Sequence, residues 1–329
     1  MSTFAALRVH RTDSGTEPRL EQLTLSDLGE GDVVIAAEWS DLNYKDALAV
    51  TGKGRILRKF PLVAGIDVAG RVLTSEDPAF TPGQAVVVTG CGLSETHDGG
   101  LAERVRVPSD FVVPLPDGLT TRDAMAIGTA GFTAALAIVL MERNGQRPEG
   151  GPIAVTGATG GVGSLATNML SGLGYEVHAI TGKSDGADYL FGLGASQVLL
   201  RQELDLGSGP LGSTRFGGAI DNLGGDILDR LLATTKPFGN VASIGLAASH
   251  KLQTTVMPLI LRGVNLLGVN SVFTPTELRR HVWSRLATDL RPSNLDDIVT
   301  NTIGLDEVID ACPAWVEARV TGRTLVRLS

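Results

Sequence analysis

Four glycines between two apolar runs are the residues of this chain whose spacing points most directly to chemistry. Ile153 to Val155 is apolar, Gly157, Gly160, Gly161 and Gly163 follow, and Val177 to Ile180 is apolar again. Glycines let a backbone approach a pyrophosphate closely. The helix that follows offers that anion free N–H groups and the positive end of its dipole. The full dinucleotide fingerprint is G-x-G-x-x-G. Here Ala158 stands at its first position, with Gly160 and Gly163 at the others. A tight turn in an ordinary α/β domain is the plainer alternative, and the flanking strand and helix patterns favour the phosphate loop.

The end of the second run discriminates between cofactors. An NAD site places Asp or Glu there, on the ribose 2′-hydroxyl. This chain has Thr181, Gly182 and Lys183. A hydroxyl and an ammonium suit a 2′-phosphate, so the residues read as an NADPH site, against a reading of Lys183 as a solvated loop lysine.

A second polar stretch interrupts an otherwise apolar, strand-like region. It runs from Asp41-Leu42-Asn43-Tyr44-Lys45-Asp46 to Gly52-Lys53-Gly54-Arg55. It reads as a loop with an embedded aromatic, the kind of segment on which binding groups sit. Lys53, Arg55, Arg58 and Lys59 make a basic cluster, either a solvated face or a phosphate handle.

The elements that must position these groups divide the chain. Residues 1–123 are β-rich, with short runs at Ala5–Val9, Val33–Ala37, Val68–Leu73, Ala85–Thr89, Val105–Val107 and Phe111–Val113 separated by turn residues, the pattern of a small barrel or sandwich. A helix from about Thr121 to Arg143 leads to residues 124–265, where strand and helix alternate as in a doubly wound parallel sheet. Residues 266–329 carry helices near Pro275–Leu290 and Leu305–Val316 and a strand at Gly322–Leu328, and are expected to return to the first domain. The uncharged run Ala124–Met141 is long enough to span a membrane, but its Ala, Gly and Thr content reads as a buried helix.

Bulk properties exclude some classes. The formal net charge is −8, and no basic face suited to nucleic acid is evident. Two cysteines, Cys91 and Cys312, and five histidines give neither a disulfide framework nor a zinc cluster. No signal-peptide core is evident at the N-terminus, so the expected location is the cytoplasm.

Ser40–Asp46, Phe60–Asp67, Gly128–Ala134 and Gly322-Arg323-Thr324, taken with the glycine turn, resemble the medium-chain dehydrogenase/reductase superfamily. The longer runs are similar to its zinc-free acrylyl-CoA reductase branch, formerly grouped with quinone oxidoreductases. The resemblance covers essentially the whole chain. It implies a GroES-like β-barrel domain plus a Rossmann domain, a homodimer, and NADPH-dependent reduction of the 2,3-double bond of a short enoyl-CoA. The alternative is a quinone or general enone reductase. It also implies cofactor contacts from Tyr44, Thr159, Gly160, Gly161, Val162, Thr181, Gly182, Lys183, Arg201, Leu246, Ile260, Ser271 and Arg323. Zinc relatives carry Gly-His-Glu where this chain has Gly65-Ile66-Asp67, and a cysteine near Asn43, so no metal is expected. The chain departs from the branch at Cys91 and Asp98, where aromatics are expected.

For such a reduction, charge develops on the thioester oxygen and calls for hydrogen-bond donors. Asn43 and Tyr44 are the candidates, with Asp67 orienting them. Asn43 as a turn cap and Tyr44 as a cofactor wall are the alternatives. The basic cluster would then hold coenzyme A phosphates.

Overall fold

The computed structural model describes residues 2–13 and 15–329 of the chain, which forms two compact units. The first comprises Met1–Thr129, Val272–Ala287 and Leu295–Ser329; the second, Ala130–Ser271 and Thr288–Asn294.

In the first unit, seven strands form one sheet, with Val33–Leu42 paired antiparallel to Asp67–Ser75, Arg104–Val107 and Arg323–Arg327. Three further strands form a second sheet, in which Phe4–Thr12 lies between Gly15–Leu23 and Leu62–Val63. Leu7, Val9, Ile35, Leu62, Val68, Val86, Val88 and Val326 meet in the core. Pairing and alternation are those of the barrel-like unit that the short runs imply.

The second unit is a six-stranded parallel sheet in the order Gln197–Leu200, Val177–Thr181, Ile153–Thr156, Phe216–Asp221, Thr235–Ser243, Asn265–Gly268. The strand Ile153–Thr156 is buried throughout, as a central parallel strand covered on both faces must be. Chain order reverses between this strand and Phe216–Asp221, and in such sheets the crevice at that reversal takes the ligand.

Several elements differ from the sequence reading. The stretch after Asn43 is not a loop but the helix Tyr44–Thr51. Asn43 N–H donates to Asp46 Oδ2 at 2.9 Å across its first turn, a reciprocal N-terminal signature present in the sequence. The strand Gly15–Leu23 is mostly exposed and polar, so no apolar alternation betrays it. Phe111–Val113 is a 3-10 turn, Ser109–Phe111, followed by the two-residue strand Val113–Pro114. Asp32 Oδ1 accepts the Ser109 N–H at 2.6 Å and holds that turn. The helix Met257–Arg262 and the strand Val299–Gly304 are further elements without a clear apolar period.

The long helix Thr121–Arg143 is broken at Gly128, with φ 53° and ψ −162°. It is the one helix among the described residues long and apolar enough to cross a membrane, and 89% of its most apolar window is buried inside the molecule. A Cβ at Gly128 would lie 2.0 Å from Asp41 Oδ2, 2.5 Å from Arg323 Nη2 and 3.1 Å from Asp67 Oδ2. Gly128→Ala is therefore expected to combine left-handed strain with overlap against buried charges and destabilise by about 3 kcal/mol or more. Denaturant unfolding monitored by circular dichroism checks this; a loss within about 0.5 kcal/mol, the range of neutral surface changes, would contradict it.

Candidate functional site

In the second unit the glycine turn sits at the C-terminal end of Ile153–Thr156, at the reversal of strand order. Gly160 precedes the helix Gly161–Gly172, whose N-terminus has no side-chain cap and no acid in its first turn. Gly163 is required for close packing, because a Cβ there would meet Gly157 O at 2.3 Å and Ala158 Cα at 2.6 Å. Asn222, at the end of the neighbouring strand, was not singled out from the sequence. It donates to Thr156 O at 2.7 Å, while its buried Oδ1 has no protein partner. Free helix N–H groups at a glycine-rich turn fit the phosphates of a dinucleotide, and the orphaned acceptor fits a donor such as a ribose hydroxyl.

Thr181 ends the strand Val177–Thr181, and its Oγ1 accepts the Lys183 N–H at 3.0 Å and lies 3.4 Å from Thr159 Oγ1. Partial burial pulls the Lys183 ammonium below its usual range, with Asp185 opposing. Arg201 follows the strand Gln197–Leu200, and its Nη2 is 3.8 Å from where a Gly182 Cβ would stand. Lys183 and Arg201 thus bring two cationic side chains beside Gly182, and the strand itself ends on the hydroxyl of Thr181, not on a carboxylate. Val162 lies in the first turn of the helix. Leu246 and Ile260 are 65% and 71% exposed, and Ser271 closes this unit's chain segment.

The first unit holds a buried polar cluster. Asn43 Nδ2 donates to Asp41 Oδ1 at 2.6 Å and to Asp67 Oδ2 at 2.9 Å. Thr129 donates to the two Asp67 oxygens, from N at 2.7 Å and from Oγ1 at 2.5 Å. Arg323 is 1% exposed. Its Nε donates to Ala126 O at 3.2 Å and its Nη1 to Asn43 Oδ1 at 3.0 Å, while Nη2 pairs with Asp41. Asp46 accepts the Ile66 N–H at 2.9 Å, tying the helix Tyr44–Thr51 to the same cluster.

These contacts redistribute the roles assigned from the sequence. Both Asn43 amide hydrogens are spent on carboxylates, so none remains for a substrate oxygen. Arg323 directs Nε, Nη1 and Nη2 inward, which makes it the organiser of the cluster. Asp67 does hold Asn43. Tyr44, the first residue of the helix, is 43% exposed. Asp41, Asp46, Gly128 and Thr129 were not singled out as site residues. Asp41 and Asp46 flank Asn43 closely enough for the sequence to have suggested them.

Three carboxyls share this interior with the Arg323 guanidinium, and Arg279, itself buried, is close enough to Asp67 for the two charges to interact. Burial pushes the Asp41 carboxyl well above its usual range; Arg323 pulls it down, and Asp67 and Asp46 push it up. Asp46 is pushed up to about 7 by burial first and the Asp67 charge second, against hydrogen bonds from Asn43 and Ile66. Among the described residues no group of three or more His, Cys, Asp or Glu is arranged to hold a metal ion. Arg323 already places a cationic side chain against Asp41, so this cluster does not fit a zinc ion.

A family model described as the alcohol dehydrogenase GroES-like domain matches residues 29–117, and one described as zinc-binding dehydrogenase matches residues 161–288. The chain is 48% identical over 324 residues to the probable acrylyl-CoA reductase AcuI of Escherichia coli (strain K12), covering 98% of this chain and 99% of that one. It is 43% identical over 330 residues to the putative quinone oxidoreductase YhfP of Bacillus subtilis (strain 168), across 100% of both. The solved structure of that yhfP protein, with NAD bound, superposes with a TM-score of 0.96, covering 100% of each chain at 42% identity. The yhdH oxidoreductase from Salmonella enterica, solved in complex with NADP, gives a TM-score of 0.96 at 47% identity over 99% of this chain and 100% of that one.

The cluster has a pH signature. With its folded value near 7 and an unfolded value of about 3.9, Asp46 binds its proton more tightly when folded. Its contribution is fully present below about pH 4 and is lost as pH rises to about 7, by roughly 4 kcal/mol at most. Asp46→Asn should flatten that fall. Unfolding free energies at pH 5 and pH 7.5 check it, and an unaltered slope would contradict the assignment.

Proposed function

The chain belongs to the medium-chain dehydrogenase/reductase superfamily, in its acrylyl-CoA reductase and quinone oxidoreductase branch, and on that premise we propose that it reduces the 2,3-double bond of a short enoyl-CoA with NADPH, most closely acrylyl-CoA to propionyl-CoA. The observation that carries the cofactor choice is the strand end at Thr181, Gly182, Lys183 and Arg201, with its hydroxyl and two cations. The substrate choice rests on the AcuI relative and on the Asn43–Tyr44 helix start.

The glycine turn Thr159–Val162 and the helix N-terminus would hold the pyrophosphate, and Lys183 and Arg201 the 2′-phosphate. When bound, NADPH supplies the hydride that adds to the β-carbon of the unsaturated thioester. Negative charge would then gather on the thioester oxygen, and the α-carbon would take its proton from water. Tyr44 supplies the hydroxyl donor for that oxygen, where charge develops in the transition state. Asn43 acts through Tyr44. Fixed by Asp41, Asp67 and Arg323, it pins the first turn of the helix on which the phenol stands. The donor set of the first unit suits zinc-independent chemistry, in which hydrogen bonds do the work a Lewis acid would do.

We place the enzyme in the cytoplasm, without membrane association, as a homodimer. Two features support the dimer. Asn265–Gly268 is an uncovered edge strand of the parallel sheet, and Phe238, Leu246, Val256, Ile260 and Leu261 are exposed apolar side chains of the same unit. Leu246 and Ile260 would then serve the interface. Light scattering coupled to size exclusion should return twice the chain mass, and Ile260→Glu with Leu261→Glu should return one chain mass; a monomeric parent protein would refute the assembly.

Absorbance at the reduced-nicotinamide band tests the reaction. Acrylyl-CoA with NADPH should turn over faster than acrylyl-CoA with NADH or a small quinone with NADPH. Tyr44→Phe should lower kcat about a hundredfold. Lys183→Ala with Arg201→Ala should raise KM for NADPH about tenfold or more and leave the NADH value nearly unmoved. Turnover with the quinone alone would move the enzyme to the activity for which its Bacillus relative is named. A preference for NADH would overturn the 2′-phosphate reading.

A further inference from the structure

The segment that follows the helix Tyr44–Thr51 presents Lys53, Arg55, Arg58 and Lys59 within seven residues, all four exposed. A fifth cation joins them from a distant part of the chain. Arg11, exposed at the end of the strand Phe4–Thr12, stacks its guanidinium 4.6 Å from the centroid of the Phe60 ring. Its cross-strand partner is Thr16, and a Cβ on Gly52 would meet Thr16 Oγ1 at 2.2 Å. Arg11 therefore stands beside both ends of the basic segment.

The backbone that carries these charges is fixed. Gly54 N–H donates to Leu48 O at 3.3 Å, Ile56 N–H to Gly54 O at 3.0 Å and Arg58 N–H to Glu95 O at 2.8 Å, while Leu57 is buried in the core of the unit. The charges themselves are unneutralised: none of the five makes an ion pair among the described residues. The nearby acids are already engaged. Glu95 pairs with Lys45 at 2.7 Å, and Asp98 accepts the Gly29 and Val63 amides at 2.8 and 2.9 Å. In a chain of net charge −8, a polyanionic ligand is repelled at long range unless a local positive field receives it.

We propose that Arg11, Lys53, Arg55, Arg58 and Lys59 form the binding site for the phosphorylated nucleotide end of the acyl-CoA, its 3′-phosphate and pyrophosphate. The proposal deepens the reading above and rests on it for the thioester. The helix Tyr44–Thr51 has eight residues and rises about 12 Å from Tyr44 to the patch. A thioester held at one end and phosphates at the other are the separation that a pantetheine arm provides. Cations held on a fixed backbone bind such an anion without the cost of ordering the loop.

Two measurements on the full-length protein saturated with NADPH decide it. Calorimetric titration with adenosine 3′,5′-bisphosphate should show binding that weakens with added salt, and the quadruple variant K53Q/R55Q/R58Q/K59Q should bind it at least about tenfold more weakly. Arg11→Gln, a single change outside that segment, should weaken it about two- to fivefold. In steady-state kinetics the ratio of KM for acrylyl-CoA to KM for the truncated acrylyl-pantetheine thioester should rise about tenfold in the quadruple variant. Absence of bisphosphate binding by the parent protein, or an unaltered KM ratio, would overturn the proposal. Failure of the parent protein to reduce either thioester would instead defeat the proposed reaction, and the titration would still decide the phosphate site.

Discussion

The polar interior of the first unit depends on the buried guanidinium of Arg323. Arg323 enters an interior that already contains Asp41, Asp46 and Asp67, and no exposed water-side contact pays for its burial. Its cost is met by a carboxylate, an amide oxygen and two backbone carbonyls. The pairing is not direct throughout: Arg323 pairs with Asp41, Arg279 acts on Asp67 from a distance, and Asp46 has no cationic hydrogen-bond partner among the described residues. The remaining negative charge is relieved by raising carboxyl pKa values, as burial acts on Asp41 and Asp46. Thr129 and Asn43 take up the remaining carboxylate acceptors, so the network is closely satisfied, and every member restricts the others.

That closure is what turns a short helix into a platform. A helix of eight residues has little stability of its own. Tyr44–Thr51 is held because Asn43 is gripped by its side chain and Asp46 reaches both the Asn43 and Ile66 amides. Gly128 admits the cluster by leaving room for Asp41 and Arg323 at a backbone conformation that side chains resist. The second unit solves a different problem with the same residue type. Gly163 there permits close contact of helix and turn, leaving main-chain donors for an anion.

How legible these features are in the sequence follows from whether the forces are local. The parallel sheet shows in continuous apolar runs such as Ile153–Val155, because a strand buried on both faces has no polar side to blur it. The charge choice at Thr181–Lys183 is local as well. Gly15–Leu23 is hidden because an exposed strand carries no apolar alternation. The helix after Asn43 is obscured by its polar first turn, although Asn43 and Asp46 stand at capping spacing. The burial of Arg323 could not be read from its neighbours, because its partners Asp41 and Asn43 are 282 and 280 residues away. Asn43 accordingly looked like a donor for substrate when its hydrogens belong to Asp41 and Asp67.

That separation along the chain bears on how the protein is made. During synthesis Asp41, Asn43 and Asp67 leave the ribosome long before Arg323, and the whole of Ala130–Ser271 emerges in between. The second unit is nearly continuous in sequence and can close its parallel sheet while the first still lacks its counter-charge. Val33–Leu42 and Asp67–Ser75 can pair with one another before then, but the strand Arg323–Arg327 that pairs beside Val33–Leu42, and with it the guanidinium that pairs with Asp41, come last. The late strand is a latch in this sense: it carries to the acidic interior the guanidinium that pairs with Asp41.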